Sequence, residues 1–493
     1  MLLNNIVSPN THDSGRDGSR LSFEISNRVL SLVFILVGIT APIFWMLSSY
    51  FKIDIAASLI FRGDDGWCDP ATQGLGVHCF GDFSERWLVG NAKDLPWGGN
   101  LELSPIGPFI TFTANRAATL IAPQVVLGIV VISYALMMLI PAVISSWRYS
   151  LTTKFIVLSG FGLLTYPFLA ALDRLNNVAF LAPILLLYLV ALCKAHYNLV
   201  VLSVVLASAV KPQLMLLVIA LIAMREWRRS LVAIMGGIST VALLVVAAGK
   251  FDLDRIRQYI SAIMSYKADF GSSNIETVLT PNISISHAMY QISQYLDPLL
   301  IHVTGGRLSP SELIKEHSSL IQIAVLLLVT GVLSVYGAMY GSIYLGSVVI
   351  CLSCLVLGDY VGAYYLIFAI PIAAVLLKFG NRNPALVREP DHDGEEHSQG
   401  LRNSLFKIHD NLQLLTLALS FSLAPIFIPT PDKYFETIVG NGSNQLADLT
   451  PVIASAFWLI ILLKTMLLPR IHRQNRLCVA IRSQSRTAFP VER

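Results

Sequence analysis

Apolar runs of helical length recur along the chain, separated by short polar tips. Leu30 to Tyr50, Leu120 to Ile144, Phe155 to Leu172, Val178 to Leu192, Leu231 to Ala248, Leu320 to Tyr340, Ile343 to Leu357, Val361 to Leu377, Leu412 to Ile428 and Val452 to Leu468 each read as a membrane helix. Between Leu199 and Met224 the pattern is harder to thread. A single helix there would bury Lys211 near mid-bilayer beside Pro212, costing about 2.5–3.5 kcal/mol on insertion scales, and would set Arg225, Arg228 and Arg229 on the side opposite Lys194. Two arms of about 12 residues, each roughly 18 Å long, keep both basic groups on the cytoplasmic side. The predicted element is therefore a hairpin whose tip, Lys211-Pro212, lies in a protein-lined or watery recess, since neither arm crosses the roughly 30 Å hydrocarbon core.

With both arms counted, the pattern predicts an all-α polytopic bundle of about 12 membrane helices with both termini inside. Arg470, Arg473, Arg476, Arg482 and Arg486 argue most directly for a cytoplasmic C-terminus. Two long polar segments, 52–118 and 249–318, fall outside. Within the second, Ile283 to Val303 carries His287, Gln291, Gln294, Asp297 and His302, which predicts a helix lying along a surface in preference to a span. The organisation expected is a polar cytoplasmic tail over 1–28, a catalytic membrane region over 29–378, a charged cytoplasmic linker over 379–410, a helix pair over 411–469 and a basic tail over 470–493.

Composition removes the soluble alternative. The 493 residues are 54% hydrophobic and 13% charged, against a charged fraction near 25% in soluble domains. The net charge of +4 is small, and the basic clusters border apolar runs, so they mark topology more than a nucleic-acid surface. Cys68 and Cys79 share the first outer loop and have two readings if that loop faces an oxidising space, a disulfide or two free thiols. No zinc-type cluster, P-loop, Gly-rich dinucleotide loop or nucleophile elbow occurs, and neither metal nor cofactor is expected.

Candidate chemistry concentrates in two places. The first outer loop carries Asp64, Asp65, Asp69, Asp82, Glu85, Asp94 and Glu102, any of which can deprotonate a hydroxyl held within hydrogen-bond reach. Its Trp67, Trp87 and Trp97 have two readings, stacking on sugar faces or anchoring at the membrane interface. The second place is Lys211, a cation pinned at the outer end of short helices and suited to phosphate, or else a snorkelling lysine. Nearby, Asp173-Arg174 reads as a loop ion pair and Asn176-Asn177 as a helix cap when the residues are taken alone.

The stretch 173–229 carries Asn176-Asn177 at a helix start, the small-residue run from Ala207 to Lys211-Pro212-Gln213, and Arg225-Glu226-Trp227-Arg228-Arg229. In these it resembles glycosyltransferase family 87 of the GT-C superfamily. Looser likenesses are Asn282-Ile283-Ser284-Ile285, Tyr364-Tyr365 with Pro371, and Asp82-Phe83 followed by Ser104-Pro105-Ile106. The family's Tyr-Pro-Pro is missing, and its late His is replaced by Tyr.

The resemblance implies a GT-C-like fold and a metal-independent, inverting transfer on the outer face. Mannose or arabinofuranose would move from a polyprenyl-phosphate donor to a cell-envelope glycolipid or polysaccharide, as in the actinobacterial members. Asp82 would be the base, with Asp54 as its rival directly after the first span. Lys211 and Arg174 would hold the donor phosphate, and Trp97, Asn176, Asn177, Gln213, Asn282, Ser284, Tyr364 and Tyr365 would line the substrate site. Two other functions compete: a transporter or flippase for a lipid-linked sugar, which needs midplane polar residues that the spans mostly lack apart from Lys211, and a non-catalytic envelope-assembly subunit.

Overall fold

The computed structural model describes residues 83, 104–147, 150–163, 165, 168, 171–172, 175–270, 284–304, 309–336, 342–356 and 363–379. Among these the secondary structure is entirely helical. The first predicted span, most of the first outer loop, the charged linker, the C-terminal helix pair and both tails lie outside the described residues.

Among the described residues, three helices are long and apolar enough to cross a bilayer: α2 (Pro123–Ser146), α7 (Trp227–Ala248) and α10 (Pro310–Tyr336). Their outward faces carry Ile129, Ile132 and Leu136, then Leu231, Met235 and Leu243, then Leu320, Leu327 and Leu328, all exposed. Apolar surface of that extent is not sustained in water. The chain is a membrane protein.

Other predicted spans are interrupted. Phe155 to Leu172 becomes a short α3 (Leu151–Leu158) running into a π-helical turn, Ser159–Leu163. Val178 to Leu192 opens with the 3-10 turn Asn177–Phe180 before α4 (Leu181–Cys193). Val361 to Leu377 likewise opens with a 3-10 turn, Ala363–Phe368, before α12 (Ala369–Phe379). Hydropathy reports apolar length and cannot see which hydrogen-bond pattern a segment adopts, because the side chains are apolar either way.

The Leu199 to Met224 stretch is broken at Lys211. α5 (Tyr197–Val210) ends when Lys211 turns extended, at φ −141° and ψ 110°. The cause is local: the ring of Pro212 clashes with an α conformation at the residue before it and supplies no N–H to continue the helix. Beyond it runs a 3-10 helix, Pro212–Val218, and then α6 (Ile219–Ala223). Each arm is about 21 Å long by its rise per residue. The second arm differs from expectation in being mostly 3-10.

The two arms fold back as a hairpin. Arg229 Nε donates to Asn198 Oδ1 at 3.2 Å, and the Arg229 guanidinium lies 5.3 Å from the Tyr197 ring centre. The first turn of α5 therefore meets the start of α7, and the Lys211 tip points the other way. The flanking turns at this base are alike. His196 N–H bonds Ala191 O at 2.9 Å and Glu226 N–H bonds Leu221 O at 2.9 Å, with Ala195 (φ 53°) and Arg225 (φ 61°) left-handed between them. Each is a Schellman closure.

Within the second long polar segment are α8 (Leu253–Phe270) and α9 (Ile285–Thr304). The latter packs along α10, where Asp297 accepts from Ser309 Oγ and from the Ser311 backbone and hydroxyl, so the start of α10 is capped from its neighbour. The first long polar segment, 52–118, closes with α1 (Gly107–Ala118). Packed centrally are α4, α5, α12 and α11 (Ser342–Leu355), with α4 approached so closely by α11 that a Cβ at Gly346 would lie 2.7 Å from Leu189 Cδ2.

Candidate functional site

Three interrupted helices meet around the hairpin tip. The 3-10 turn Asn177–Phe180 packs against the 3-10 turn Ala363–Phe368, and the side chain of Lys211 reaches the latter. Both turns are covered by the packed apolar core, to which Val178, Ala179, Tyr365 and Phe368 belong, and that cover is what lets a bundle tolerate irregular backbone.

Lys211 is half-buried, and its Nζ lies 5.7 Å from the centre of the Tyr365 ring. That ring is 8% exposed and stands edge-on to Phe368 at 5.6 Å. A face-on aromatic ring is worth about 0.5–2 kcal/mol to the ammonium without cancelling its charge. The contact directs the Lys211 side chain toward the 3-10 turn Ala363–Phe368. Gln213, two residues on, is exposed.

The last stretch of the first long polar segment crosses the end of α5 here. Ile106 N–H donates to Ala209 O at 3.2 Å, two residues before Lys211. Ser104, just upstream, is fully buried, and among the described residues its Oγ has no hydrogen-bond partner. A hydroxyl kept from water in that way costs about 1–3 kcal/mol. Phe83, which directly follows Asp82, is 3% exposed and belongs to the same apolar core as α4 and α5.

Asn176 and Asn177 are both buried but differ in role. Asn176 Oδ1 accepts from Val178 N–H at 3.0 Å, the N-cap that the residues alone suggested. Asn177 Oδ1 accepts a short hydrogen bond from the hydroxyl of Tyr134 on α2, whose ring meets Phe180 edge-on at 5.0 Å. Ser284 is fully buried at the start of α9, paired at 3.3 Å with Ser286, which accepts from Gln322 Nε2 at 3.0 Å.

Among the residues singled out from sequence, the structure thus joins Lys211 to Tyr365 and sets Asn177 on the neighbouring turn. Asp82, Asp54, Arg174, Trp97, Asn282, Cys68, Cys79 and the side chain of Tyr364 lie outside what is described.

Sequence reasoning missed Tyr134, Tyr259 and the idle hydroxyl of Ser104. Tyr134 had one faint signal, a hydroxyl within a run otherwise almost wholly apolar. Tyr259 had none, sitting among charged residues of α8 in Ile256-Arg257-Gln258-Tyr259-Ile260. It is nonetheless 6% exposed. Burial pushes its phenol up from the usual range, and the nearby Lys211 charge draws it part of the way back.

Compared with models of protein families, with curated proteins and with solved structures, the chain matches none.

Proposed function

We propose that this protein is a GT-C-like membrane glycosyltransferase, similar to family 87, that moves a sugar from a polyprenyl-phosphate donor to a glycolipid or polysaccharide acceptor outside the cytoplasmic membrane. Mannose is the first candidate sugar and arabinofuranose the second. In this reading the chain has about 12 membrane helices with both termini cytoplasmic, and the Lys211 recess opens on the outer face. The observation that carries the reading is Lys211 itself, a half-buried cation set over Tyr365 at the tip of a hairpin too short to span. A phosphate at the end of a membrane-embedded lipid is the anion that such a position suits.

The chemistry follows from the charges. An outer-loop carboxylate, assigned to Asp82, takes the acceptor hydroxyl proton as the oxygen attacks the anomeric carbon from the face opposite the phosphate. The carbon–oxygen bond to phosphate breaks, its electron pair stays on the polyprenyl phosphate, and configuration inverts. Already acidic, the departing group needs its growing charge stabilised more than it needs a proton, and Lys211 supplies that stabilisation. Trp97, Asn282, Ser284 and Tyr364 are assigned to the sugar and acceptor, and Arg174 to the phosphate beside Lys211.

The test is transfer of label from radiolabelled polyprenyl-phosphate mannose, or the arabinose analogue, by membranes containing this protein. Wild type should move one label to lipid or glycan, and Asp82→Asn should lose about 10²–10⁴-fold of that rate. Loss on Asp54→Asn with full activity in Asp82→Asn moves the base to Asp54. No transfer of either label by wild type overturns the reading.

A further inference from the structure

The hairpin tip has a further neighbour that the reaction scheme does not use. α7 crosses the hairpin beside its tip, where a Cβ at Gly237 would lie 3.0 Å from Met215 Cε and 3.2 Å from Ser208 Oγ, residues on either side of Lys211. Since α7 begins at the hairpin base, where Arg229 meets Asn198, its later residues rise on the tip side of that crossing. Val245 is eight residues beyond Gly237, about 12 Å further along the axis. The chain then reverses through Gly249 to Asp252, with Lys250 and Phe251 left-handed, and α8 folds back. Tyr259 on α8 packs into a small buried cluster with Val245, bordered by Val241, Ala248 and Ile256. The fold thus carries this ring to the Lys211 end of the hairpin.

We propose that Tyr259 is a second phosphate-binding residue of the Lys211 recess, its phenol hydroxyl donating a hydrogen bond to the phosphate of a polyprenyl-phosphate ligand. This deepens the reading above and rests on it. The division of labour is chemical. Lys211 offers a point charge, which fixes neither the orientation nor the number of its hydrogen bonds. A buried phenol held in its neutral form adds a directed donor and no positive charge beyond those assigned to Lys211 and Arg174. Its ring is clamped by the α7 cluster, so the donor is positioned before the ligand arrives.

The probe pair is farnesyl phosphate and farnesol, which share the isoprenoid chain and differ in the phosphate. Their binding to the purified full-length protein is titrated by calorimetry. Wild type should prefer farnesyl phosphate, and Lys211→Met should abolish the preference. Tyr259→Phe keeps the ring in its cluster and should weaken farnesyl phosphate about tenfold or more, leaving farnesol unchanged. If Tyr259→Phe binds farnesyl phosphate as wild type does while Lys211→Met does not, the role of Tyr259 is refuted and the phosphate site stands. Equal weakening of both probes refutes it too, because a packing role touches the chain and the phosphate alike. A wild type that does not distinguish the two probes overturns the phosphate site and Tyr259 together.

Discussion

Replacing Lys211 by Met separates the charge at the hairpin tip from the shape around it. Methionine retains an unbranched stem of similar reach, so the extended turn forced by Pro212 and the cover provided by Tyr365 survive. On stability, the loss of the cation–π contact, about 0.5–2 kcal/mol, is opposed by relief from holding an ammonium in a half-buried site. The two are opposite in sign, so the melting temperature should move little. On turnover the effect is one-sided. One preorganised donor facing developing charge is worth about 10²–10³ in kcat, or about 2.7–4 kcal/mol. The assay is label transfer from polyprenyl-phosphate sugar at saturating donor, with thermal unfolding followed on the same preparation. Lys211→Arg should recover only part of the rate, since a planar fork does not replace a compact ammonium. Turnover of Lys211→Met within twofold of wild type, with its fold intact, would refute the reasoning that this charge serves the leaving phosphate.

Two further outcomes follow from the hairpin. In a cysteine-free background, an impermeant thiol reagent should label a cysteine at Gln213 from outside the cell and leave one at Arg228 unlabelled, both positions being exposed. Labelling of Arg228→Cys from outside would remove the proposed orientation. Ala195→Gly should raise the unfolding midpoint modestly: Ala195 sits at φ 53°, where a Cβ costs about 1–2 kcal/mol, and the added freedom of the unfolded glycine takes back about half. A fall in the midpoint would contradict that account of the turn.

The sequence by itself determined that this is a helical membrane protein and that its organising break falls at Lys211. Both follow from strictly local physics. Apolar length decides what can lie in lipid, and a proline restricts the residue before it whatever surrounds the pair. The hairpin was legible for the same reason, because folding back was the way to keep Lys194 and the Arg225 to Arg229 cluster on one side, and the meeting of Arg229 with Asn198 and Tyr197 shows the two ends together. Asn176 as a cap was likewise readable, its partner Val178 being two residues away.

What the tertiary structure decided is which distant residues share the tip. That Tyr365 lies under Lys211, that Tyr134 binds Asn177 across 43 positions, and that α7 brings Tyr259 to the far end of the hairpin all depend on how helices pack. Tyr259 was invisible in sequence because an aromatic residue among charges reads as one more interfacial side chain, and burial by a helix formed elsewhere is what makes it different. The 3-10 openings at Asn177–Phe180 and Ala363–Phe368 were hidden for a related reason: α and 3-10 turns differ by one residue in the hydrogen-bond ladder, an energy difference small enough for neighbouring helices to set.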